Sequence, residues 1–320
     1  MALVLVLIFS YLIGISKGQL RVGFYAETCP EAESVVSAVV RDALQSNPNT
    51  AAVLLRLHFH DCFVQGCDGS ILIEDGPGAE RHAFGHQGVG GFEVIERAKE
   101  QLETVCRGVV SCSDIVALAA REAVALASGP FYQVPTGRRD GRVSNISQAG
   151  DMPDVSDSIQ QLKAKFLNKG LSEKDLVVLS AAHTIGTTAC FFMTQRLYKF
   201  PPGGGSDPTI NLEFLPELKA KCPQNGDVNV RLPIDRGSER IFDNQILRNI
   251  RDGFAVLQSD ARLYEDQATK NVIDSYFGFL SPIFGPFFET DFVESIVRMG
   301  HIGVKTGSRG EIRRVCNAFN

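Results

Sequence analysis

The sequence predicts an all-α protein, and three observations lead to that prediction. Apolar residues recur at helical spacing along most of the chain, as Val36, Val39 and Ala43 do in the first such segment. Strand-like runs are confined to residues 71–73 and 303–306. No segment of about 20–50 residues is repeated, so a solenoid or propeller is not expected.

Helix signals and turn residues divide the chain into nine predicted helices. Ser172 followed three residues later by Asp175 resembles an N-terminal capping box. Pro and Gly mark loops at residues 76–91 and 200–208. The predicted helices span residues 31–45, 51–60, 92–103, 113–127, 158–168, 172–180, 242–251, 267–276 and 286–299.

The composition narrows the class of protein. The chain has 320 residues, 44% of them hydrophobic, which is ample for one large domain or two ordinary ones. Its net charge is −5 and it has no long run of Lys or Arg. A nucleic-acid partner, which would require a basic face, is therefore not expected. The eight cysteines are an even number, and their state depends on the redox compartment.

The N-terminus indicates secretion. Residues 2–15 are dominated by apolar side chains, which is typical of a secretory h-region and shorter than the roughly 20 residues of a membrane span. We therefore expect a signal peptide at residues 1–18 and a mature chain that begins at Gln19 without a membrane anchor. The alternative is a buried N-terminal helix. Secretion makes disulfides the default for the cysteines, and Asn145 begins the single glycosylation sequon.

The densest group of chemically active residues lies on the second predicted helix. Arg56 and His60 are four residues apart, so they share one face of a largely apolar helix. Burying a charge costs free energy unless a partner compensates it. One interpretation is a general base beside a fixed cation, and the other is a core histidine beside an ion-paired arginine. His58 points to another face and is interpreted as structural.

Oxygen ligands follow this helix directly. Asp61, Asp68 and Ser70 surround Gly66, and a local bridge between Cys62 and Cys67 would turn their oxygens inward, which suits Ca²⁺. An ordinary turn would explain the same residues. A zinc site is a third interpretation, with ligands His58, His60, Cys62 and Cys67.

A second histidine stands at the end of an apolar helix in the middle of the chain. As a metal ligand, His183 would need an acceptor for its other ring nitrogen, and Asp260 is a candidate. A core histidine is the alternative. Thr184 and the acidic segment 235–243 would form a second oxygen-rich site, unless that segment is an exposed turn.

At these residues the chain resembles the secreted plant (class III) haem peroxidases, over nearly all of its mature length. Two blocks in this order are specific together, although neither would suffice alone. They read Arg56-Leu57-His58-Phe59-His60-Asp61-Cys62 and Ser180-Ala181-Ala182-His183-Thr184-Ile185-Gly186.

The resemblance implies a two-domain helical fold with one haem b between the domains. The distal subdomain would comprise residues 19–150 with a C-terminal tail, 280–320, and the proximal subdomain residues 151–279. The enzyme would be a monomer of the cell wall, apoplast or vacuole. It would reduce H₂O₂ to water while oxidising small phenolic donors in two one-electron steps.

The resemblance also implies roles for the residues around the haem. His60 would move the protons of H₂O₂ and Arg56 would stabilise negative charge. His183 would be the axial ligand of the iron, and Asp260 its hydrogen-bond partner. The substrate-contacting residues would be Pro153, Phe84 and Phe192.

Two calcium sites and four disulfides are implied in the same way. The distal calcium would be held by Asp61, Val64, Gly66, Asp68 and Ser70, with Glu80 nearby through water. The proximal calcium would be held by Thr184, Asp235, Ser238, Ile241 and Asp243. The disulfides would pair Cys29 with Cys106, Cys62 with Cys67, Cys112 with Cys316, and Cys190 with Cys222.

The chain departs from the family pattern between Glu80 and Phe92. The family's distal Asn, a Ser and an Arg are missing there, which affects the hydrogen bond to the distal histidine and some haem-propionate contacts. His86 aligns with the Asn when the count begins at Glu80. The shortened loop would alternatively bring Gln87 to His60, or neither residue would reach it.

Two other classes of protein account for part of the sequence. A secreted metallohydrolase would use His58, His60 and Asp61, but it leaves the His183 block unexplained. A disulfide-stapled binding protein accounts for secretion, but it gives no reason for a buried Arg56 and His60.

Overall fold

The computed structural model describes residues 20–278 and 285–320, and over these residues the protein is mainly helical. Within these described ranges, one sheet pairs β1 (Thr187–Ala189) with β2 (Arg231–Pro233) in antiparallel register. Short 3₁₀ turns join many of the helices. In chain order the helices α1 to α12 span Ala32–Ser46, Thr50–Phe63, Phe92–Val105, Cys112–Leu126, Ile159–Asn168, Glu173–Ser180, Thr194–Tyr198, Leu215–Lys221, Gln245–Arg251, Gln258–Arg262, Gln267–Ser275 and Phe288–Met299.

The predicted all-α class is confirmed, and each of the nine predicted helices corresponds to an observed one. The predicted strand at 71–73 is wrong, because Ser70–Leu72 forms a 3₁₀ turn after Gly69, which has a φ of 67°. The strand predicted at 303–306 is also wrong, since Lys305 forms only an isolated bridge. The signal-peptide prediction, residues 1–18, lies outside the described residues.

Side-chain caps fix where several of these helices begin. The hydroxyl of Ser111 accepts the N–H of Asp114 at the start of α4. The predicted capping box at Ser172 is present, with Asp175 accepting the Ser172 N–H in return. Each cap satisfies backbone donors that the first turn of a helix leaves unpaired.

Two helical groups position the candidate site. Helix α4 is buried along nearly all its length, and α1, α2 and α3 pack around it. Helix α6 packs against α5, α11 and α12 in the second group. The groups approach each other closely at Gly186, where a Cβ would lie 2.6 Å from the Cβ of Ala52 on α2. Because Gly186 also has a φ of 103°, a side chain here would strain both segments.

Four disulfides are present, and they follow the pairing implied by the resemblance. The bridge from Cys112 to Cys316 closes a sequence separation of 204 residues and ties the C-terminal segment to α4. The same segment pairs with the first helical group through the Glu74 N–H, which donates to the Asn317 carbonyl at 2.9 Å.

Across the described residues, no helix is both long and apolar enough to span a membrane.

Candidate active site

Arg56 and His60 lie on one face of α2, as their spacing predicts. His60 is buried, while the guanidinium of Arg56 donates to the backbone carbonyl of Gln87 at 3.1 Å. Burial, the Arg56 charge and neighbouring imidazoles hold the pKa of His60 well below its usual value. Burial, reinforced by the charge of Arg231, lowers the pKa of Arg56 to about 10. At neutral pH the pair is therefore a neutral imidazole beside a guanidinium cation.

His183 and Asp260 form a second pair, from the turn after α6 and from α10. Nδ1 of His183 lies 2.9 Å and 3.1 Å from the two carboxylate oxygens of Asp260. Burial lowers the pKa of His183, but the charge and hydrogen bond of Asp260 outweigh it and raise the pKa overall. The Asp260 carboxylate is 1% exposed, whereas 39% of the His183 side chain is accessible. Because Nδ1 faces Asp260, Nε2 is the ring nitrogen of His183 that is turned away from that carboxylate.

The residue that reaches the back of His60 is His86. Nδ1 of His86 lies 2.8 Å from Nδ1 of His60, and the His86 side chain is fully buried. Gln87 is exposed and contributes its carbonyl to Arg56 instead. The structure thus favours His86 over the two alternatives left open by the shortened loop.

His58 takes no part in this arrangement. Its Nδ1 lies 3.6 Å from Sγ of Cys62, and burial with the charge of Arg138 lowers its pKa to about 3. The zinc interpretation is wrong, because Cys62 and Cys67 are joined in a disulfide and offer no thiolate. Over the described ranges, His58, His60 and Asp61 do not form a common metal-binding group.

Comparison of the whole chain with known proteins identifies its family. The Peroxidase family model matches residues 36–278. The chain is 69% identical to Peroxidase 43 of Arabidopsis thaliana over 320 residues, which cover 100% of this chain and 97% of that protein. It is 52% identical to Peroxidase N1 of Nicotiana tabacum over 300 residues, which cover 94% of this chain and 90% of that protein. This chain belongs to the plant (class III) peroxidase family. It is an oxidoreductase that acts on H₂O₂. Membership of the family implies a haem cofactor. Members of the family are typically secreted.

In this peroxidase the five residues expected to hold the proximal calcium lie together. The Thr184 hydroxyl is within 3.3 Å of oxygens from three of the others, and the Ser238 hydroxyl contacts two of the same carboxylates. Burial raises the pKa of Asp235 to about 6. Asn249 was not indicated by any sequence motif; its amide donates at 2.5 Å to the other oxygen of Asp235 and orients that carboxylate.

The acidic side chains expected at the distal calcium, Asp61, Asp68 and Glu80, are all buried in this peroxidase. Neither oxygen of Asp61 or Glu80 has a hydrogen-bond partner among the described residues, and the Ser70 hydroxyl is likewise unpaired there. Burial and then the charges of Asp68 and Glu80 raise the pKa of Asp61 well above its usual range. Since uncompensated buried carboxylates are costly, this donor set fits a hard cation.

Two lysines contact the same loop. Nζ of Lys169 donates to the Val64 carbonyl at 2.8 Å, and Lys305 forms an ion pair with Asp68. Gly66 has a φ of 99°, and a Cβ there would lie 2.6 Å from the backbone of Gly303. Gly66 therefore allows the loop to pack directly against the C-terminal segment.

An aromatic rim connects two of the expected substrate residues. Phe84 is 70% exposed, and its ring centroid lies 6.4 Å from that of Phe191. Phe191 in turn lies 5.1 Å from Phe192, edge to face. The sequence indicated Phe84 and Phe192 but missed Phe191, which is 41% exposed and joins them. Pro153 is half-buried, just after the turn Ile146–Asp151 that packs on the Phe84 turn.

Proposed function

We propose that this peroxidase is a secreted enzyme that oxidises small phenolic donors, using one haem b and two calcium ions. The observation that carries the proposal is the pairing of His60 and Arg56 on one wall with His183 and Asp260 on the other. Helix α2 contacts the turn that carries His183, and the charge of His183 depresses the pKa of His60. The two pairs are therefore neighbours across one cleft.

The residues present fit a haem. The accessible His183 imidazole would offer Nε2 to the iron of a haem, and Asp260 would fix the tautomer by accepting from Nδ1. A carboxylate on the far nitrogen increases the electron donation of the imidazole. When bound between the two walls, haem supplies the redox centre that passes oxidising equivalents to the donor.

His60 and Arg56 manage the protons and charge of the peroxide. His60 is held neutral, so a bare Nε2 accepts the proton from one oxygen of H₂O₂ and returns it to the departing oxygen. Arg56, held by the Gln87 carbonyl, stabilises negative charge on that oxygen as the O–O bond breaks. The overall reaction balances as H₂O₂ plus two phenols giving two waters and two phenoxyl radicals.

The donor side of the proposal rests on the aromatic rim of Phe84, Phe191 and Phe192, with Pro153. Exposed aromatic rings that lie edge to face offer offset and perpendicular contacts to a planar phenol. Because each phenol loses one electron and one proton and no heavy atom is transferred to it, contact with this aromatic rim is sufficient for the step.

Two calcium ions complete the proposal. The proximal ion would take Thr184, Asp235, Ser238, Ile241 and Asp243, whose oxygens already converge. The distal ion would take Asp61, Val64, Gly66, Asp68 and Ser70, with Glu80 through water. Each set adjoins a histidine of the cleft, since Thr184 follows His183 and Asp61 follows His60. Calcium would therefore hold both histidines in place.

The remaining parts of the proposal concern organisation. We assign residues 1–18 to a signal peptide, residues 19–150 with 280–320 to a distal subdomain, and residues 151–279 to a proximal subdomain. The mature chain would act as a monomer in the cell wall, apoplast or vacuole. Asn145 is exposed and accessible to a glycan.

A visible spectrum of the purified secreted protein tests the proposal. We expect a Soret band that shifts when one equivalent of H₂O₂ is added and returns when two equivalents of a phenol follow. Metal analysis should give one iron and two calcium ions per chain. A colourless protein, or a spectrum that H₂O₂ leaves unchanged, would overturn the proposal.

A further inference from the structure

A cavity of about 420 Å³ lies where three segments of the chain meet. Its walls come from residues 65–68, 142–148 and 303–310. Among the described residues that line it, none belongs to the two histidine pairs. The volume falls in the range of about 300–1,000 Å³ that is usual for small-molecule sites. The cavity is therefore large enough for a ligand and is separate from the candidate active site.

Backbone hydrogen bonds hold the three walls together. Asp140 and Glu311 exchange two such bonds, each of 2.9 Å, which join the second segment to the third. The Gly141 N–H donates to the Asp68 carbonyl at 2.7 Å, which joins the second segment to the first. A ligand would therefore enter a site that is already formed, and it would not have to pay the cost of ordering the loops.

The lining is positively charged, although the chain as a whole is negative. Three cations, Arg142, Lys305 and Arg309, and one carboxylate, Asp68, give the lining a net charge of +2, against −5 for the chain. Lys305 and Asp68 form an ion pair with each other, so the charge left for a ligand is that of the two arginines. A guanidinium does not lose its proton in proteins, and this charge is present at every working pH.

The two arginines are not committed to strong partners. The Arg309 guanidinium is exposed and has no hydrogen bond or ion pair with another described residue. Nε of Arg142 lies 3.7 Å from Oε2 of Glu311, and 63% of the Arg142 side chain is exposed. Such an exposed pair is weak. Two planar guanidinium forks are therefore available, and this geometry suits a carboxylate bound through both of its oxygens.

The remaining side chains of the cavity suit hydroxyl groups. Gln65 and Gln148 contribute amides, each of which can both donate and accept. Oε1 of Gln148 is buried without a hydrogen-bond partner among the described residues. Turning that amide towards the cavity would give the oxygen a donor in a ligand hydroxyl. Val143 is the one apolar side chain of the described lining, and no aromatic ring is there to stack on an aromatic acid.

We propose that this cavity binds an acidic sugar, a uronate that stands alone or forms one unit of an oligosaccharide. Arg142 and Arg309 hold its carboxylate, and Gln65 and Gln148 hold its hydroxyls. The site goes beyond the proposed function, because the sugar is bound and is not oxidised. Since the cavity lies apart from the histidine pairs, an occupied site should leave the reaction with H₂O₂ unchanged.

Isothermal titration calorimetry tests the proposal on the haem-loaded, calcium-loaded full chain. The probe is an oligomer of three linked galacturonates, and its methyl ester is the matched neutral ligand. Sodium sulfate and a phenolic acid are titrated in parallel as an inorganic and an aromatic anion. Excess calcium is present throughout, and the calcium content of the protein is measured after each titration. The variants are Arg142→Gln, Arg309→Gln and the double variant.

The wild type should bind the galacturonate oligomer and bind its ester, sulfate and the phenolic acid at least about tenfold more weakly, because hydrogen bonds to a charged group are the strong ones. Arg142→Gln and Arg309→Gln should each weaken the binding of the oligomer by about tenfold or more, and the double variant by more than either. Arg41→Gln removes an exposed arginine of α1 that does not line the cavity, and it is the control for overall charge. It should change the affinity by less than about twofold, because the effect of a distant exposed charge is screened.

Equal affinity for the ester would overturn the proposal, because the carboxylate would then not be recognised. Equal affinity for sulfate or for the phenolic acid would overturn the assignment to a sugar. An equal loss in Arg41→Gln would show attraction by the overall charge and no site. The reaction with H₂O₂ is measured in the same proteins and should stay within about twofold of the wild type in every variant, since these side chains lie outside the reaction centre. A wild type that does not react with H₂O₂ would overturn the proposed function and leave the sugar site standing, so the two failures are distinguishable.

Discussion

The ammonium of Lys305 forms an ion pair with the carboxylate of Asp68, one of the residues proposed to hold the distal calcium. Asp68 is 2% exposed and Lys305 is 30% exposed, so the lysine reaches inward from the C-terminal segment. The other oxygen of Asp68 accepts the N–H of Ser70. Lys305 is thus a tethered cation at the edge of the proposed metal site.

A tethered cation should weaken calcium binding by repulsion and by competition for Asp68. We predict that Lys305→Met raises the affinity of the distal site by about tenfold, since charges a few ångströms apart near a protein surface interact by a few kcal/mol before screening. Calcium titration followed by calorimetry measures this. Lys219→Met, which alters a half-buried lysine over the ring of Tyr198, is the control. An unchanged affinity in Lys305→Met would show that the lysine does not oppose the ion.

Calcium removal should affect the proximal side through Thr184. The hydroxyls of Thr184 and Ser238 bridge Asp235 and Asp243, which repel each other when no cation lies between them. We predict that chelation lowers the melting temperature and perturbs the Soret band, and that Asp243→Asn reproduces part of both effects. Differential scanning calorimetry and metal analysis measure this. Unchanged melting after verified calcium removal would contradict both proposed sites.

Substitutions at His60 and Arg56 should affect the reaction with H₂O₂ far more than the oxidation of phenol. We predict that His60→Leu slows the reaction with H₂O₂ by about 10²–10⁴-fold, the usual contribution of a general acid–base group. Arg56→Leu should also slow it, while phenol oxidation changes far less in both variants. Stopped-flow absorbance measures each step. Equal losses in the two half-reactions would indicate damage to the fold and not to proton transfer.

The sequence predicted most of the helical frame because its longer helices bury one face and repeat with the helical period. Helices α7 and α10 have five residues each, which is too short for that pattern to show. Strands β1 and β2 have three residues each and pair only because the chain brings them together. The predicted strand at 71–73 had the right apolar residues, but Gly69 turns the backbone into a 3₁₀ turn.

In the candidate site, too, features that lie in local sequence patterns could be predicted and contacts between distant segments could not. Motif spacing indicated the histidines, Arg56 and the acidic ligands, since these residues lie in specific local patterns. Contacts across the fold were not visible in the sequence, such as Lys305 at Asp68 and Asn249 at Asp235. Whether His86 reaches His60 also depended on the path of a glycine-rich loop, which spacing alone cannot determine. In the structure this loop buries the side chain of His86 and leaves Gln87 exposed.

The bridge between Cys112 and Cys316 should stabilise the protein more than a bridge that closes a short loop. In the chain-entropy model, its 204-residue separation corresponds to about 5 kcal/mol, against about 4 kcal/mol for the 32-residue separation of Cys190 and Cys222. We predict a larger fall in the guanidinium midpoint when both cysteines of the longer bridge become serine. The Cys190→Ser, Cys222→Ser variant is the matched control. A larger loss in that control would mean that chain entropy does not dominate here.

A buried ion pair holds the segment that carries the partner of His183. Arg196 donates from Nε to Asp207 at 2.8 Å and from Nη1 to the carbonyls of Ala255 and Val256. Those carbonyls immediately precede α10, on which Asp260 lies. Both side chains of the ion pair are at most 2% exposed. Removing one charge would leave the other buried without compensation.

We predict that Asp207→Asn destabilises the fold by about 3–5 kcal/mol, as the loss of one partner of a buried pair does. Burial raises the pKa of Asp207, but hydrogen bonds from Arg196 and Thr209 outweigh it and lower the pKa overall. The pair therefore stabilises the protein above the ordinary pKa of an aspartate, and this contribution is lost as the pH falls through the lowered value. Guanidinium unfolding between about pH 2 and 7 should show a flatter acid dependence in the variant than in the wild type. The exposed pair of Arg251 and Asp252 provides the control, because Asp252→Asn should change stability by less than about 1 kcal/mol. Parallel pH profiles for wild type and Asp207→Asn would show that this pair does not govern the acid stability of the segment.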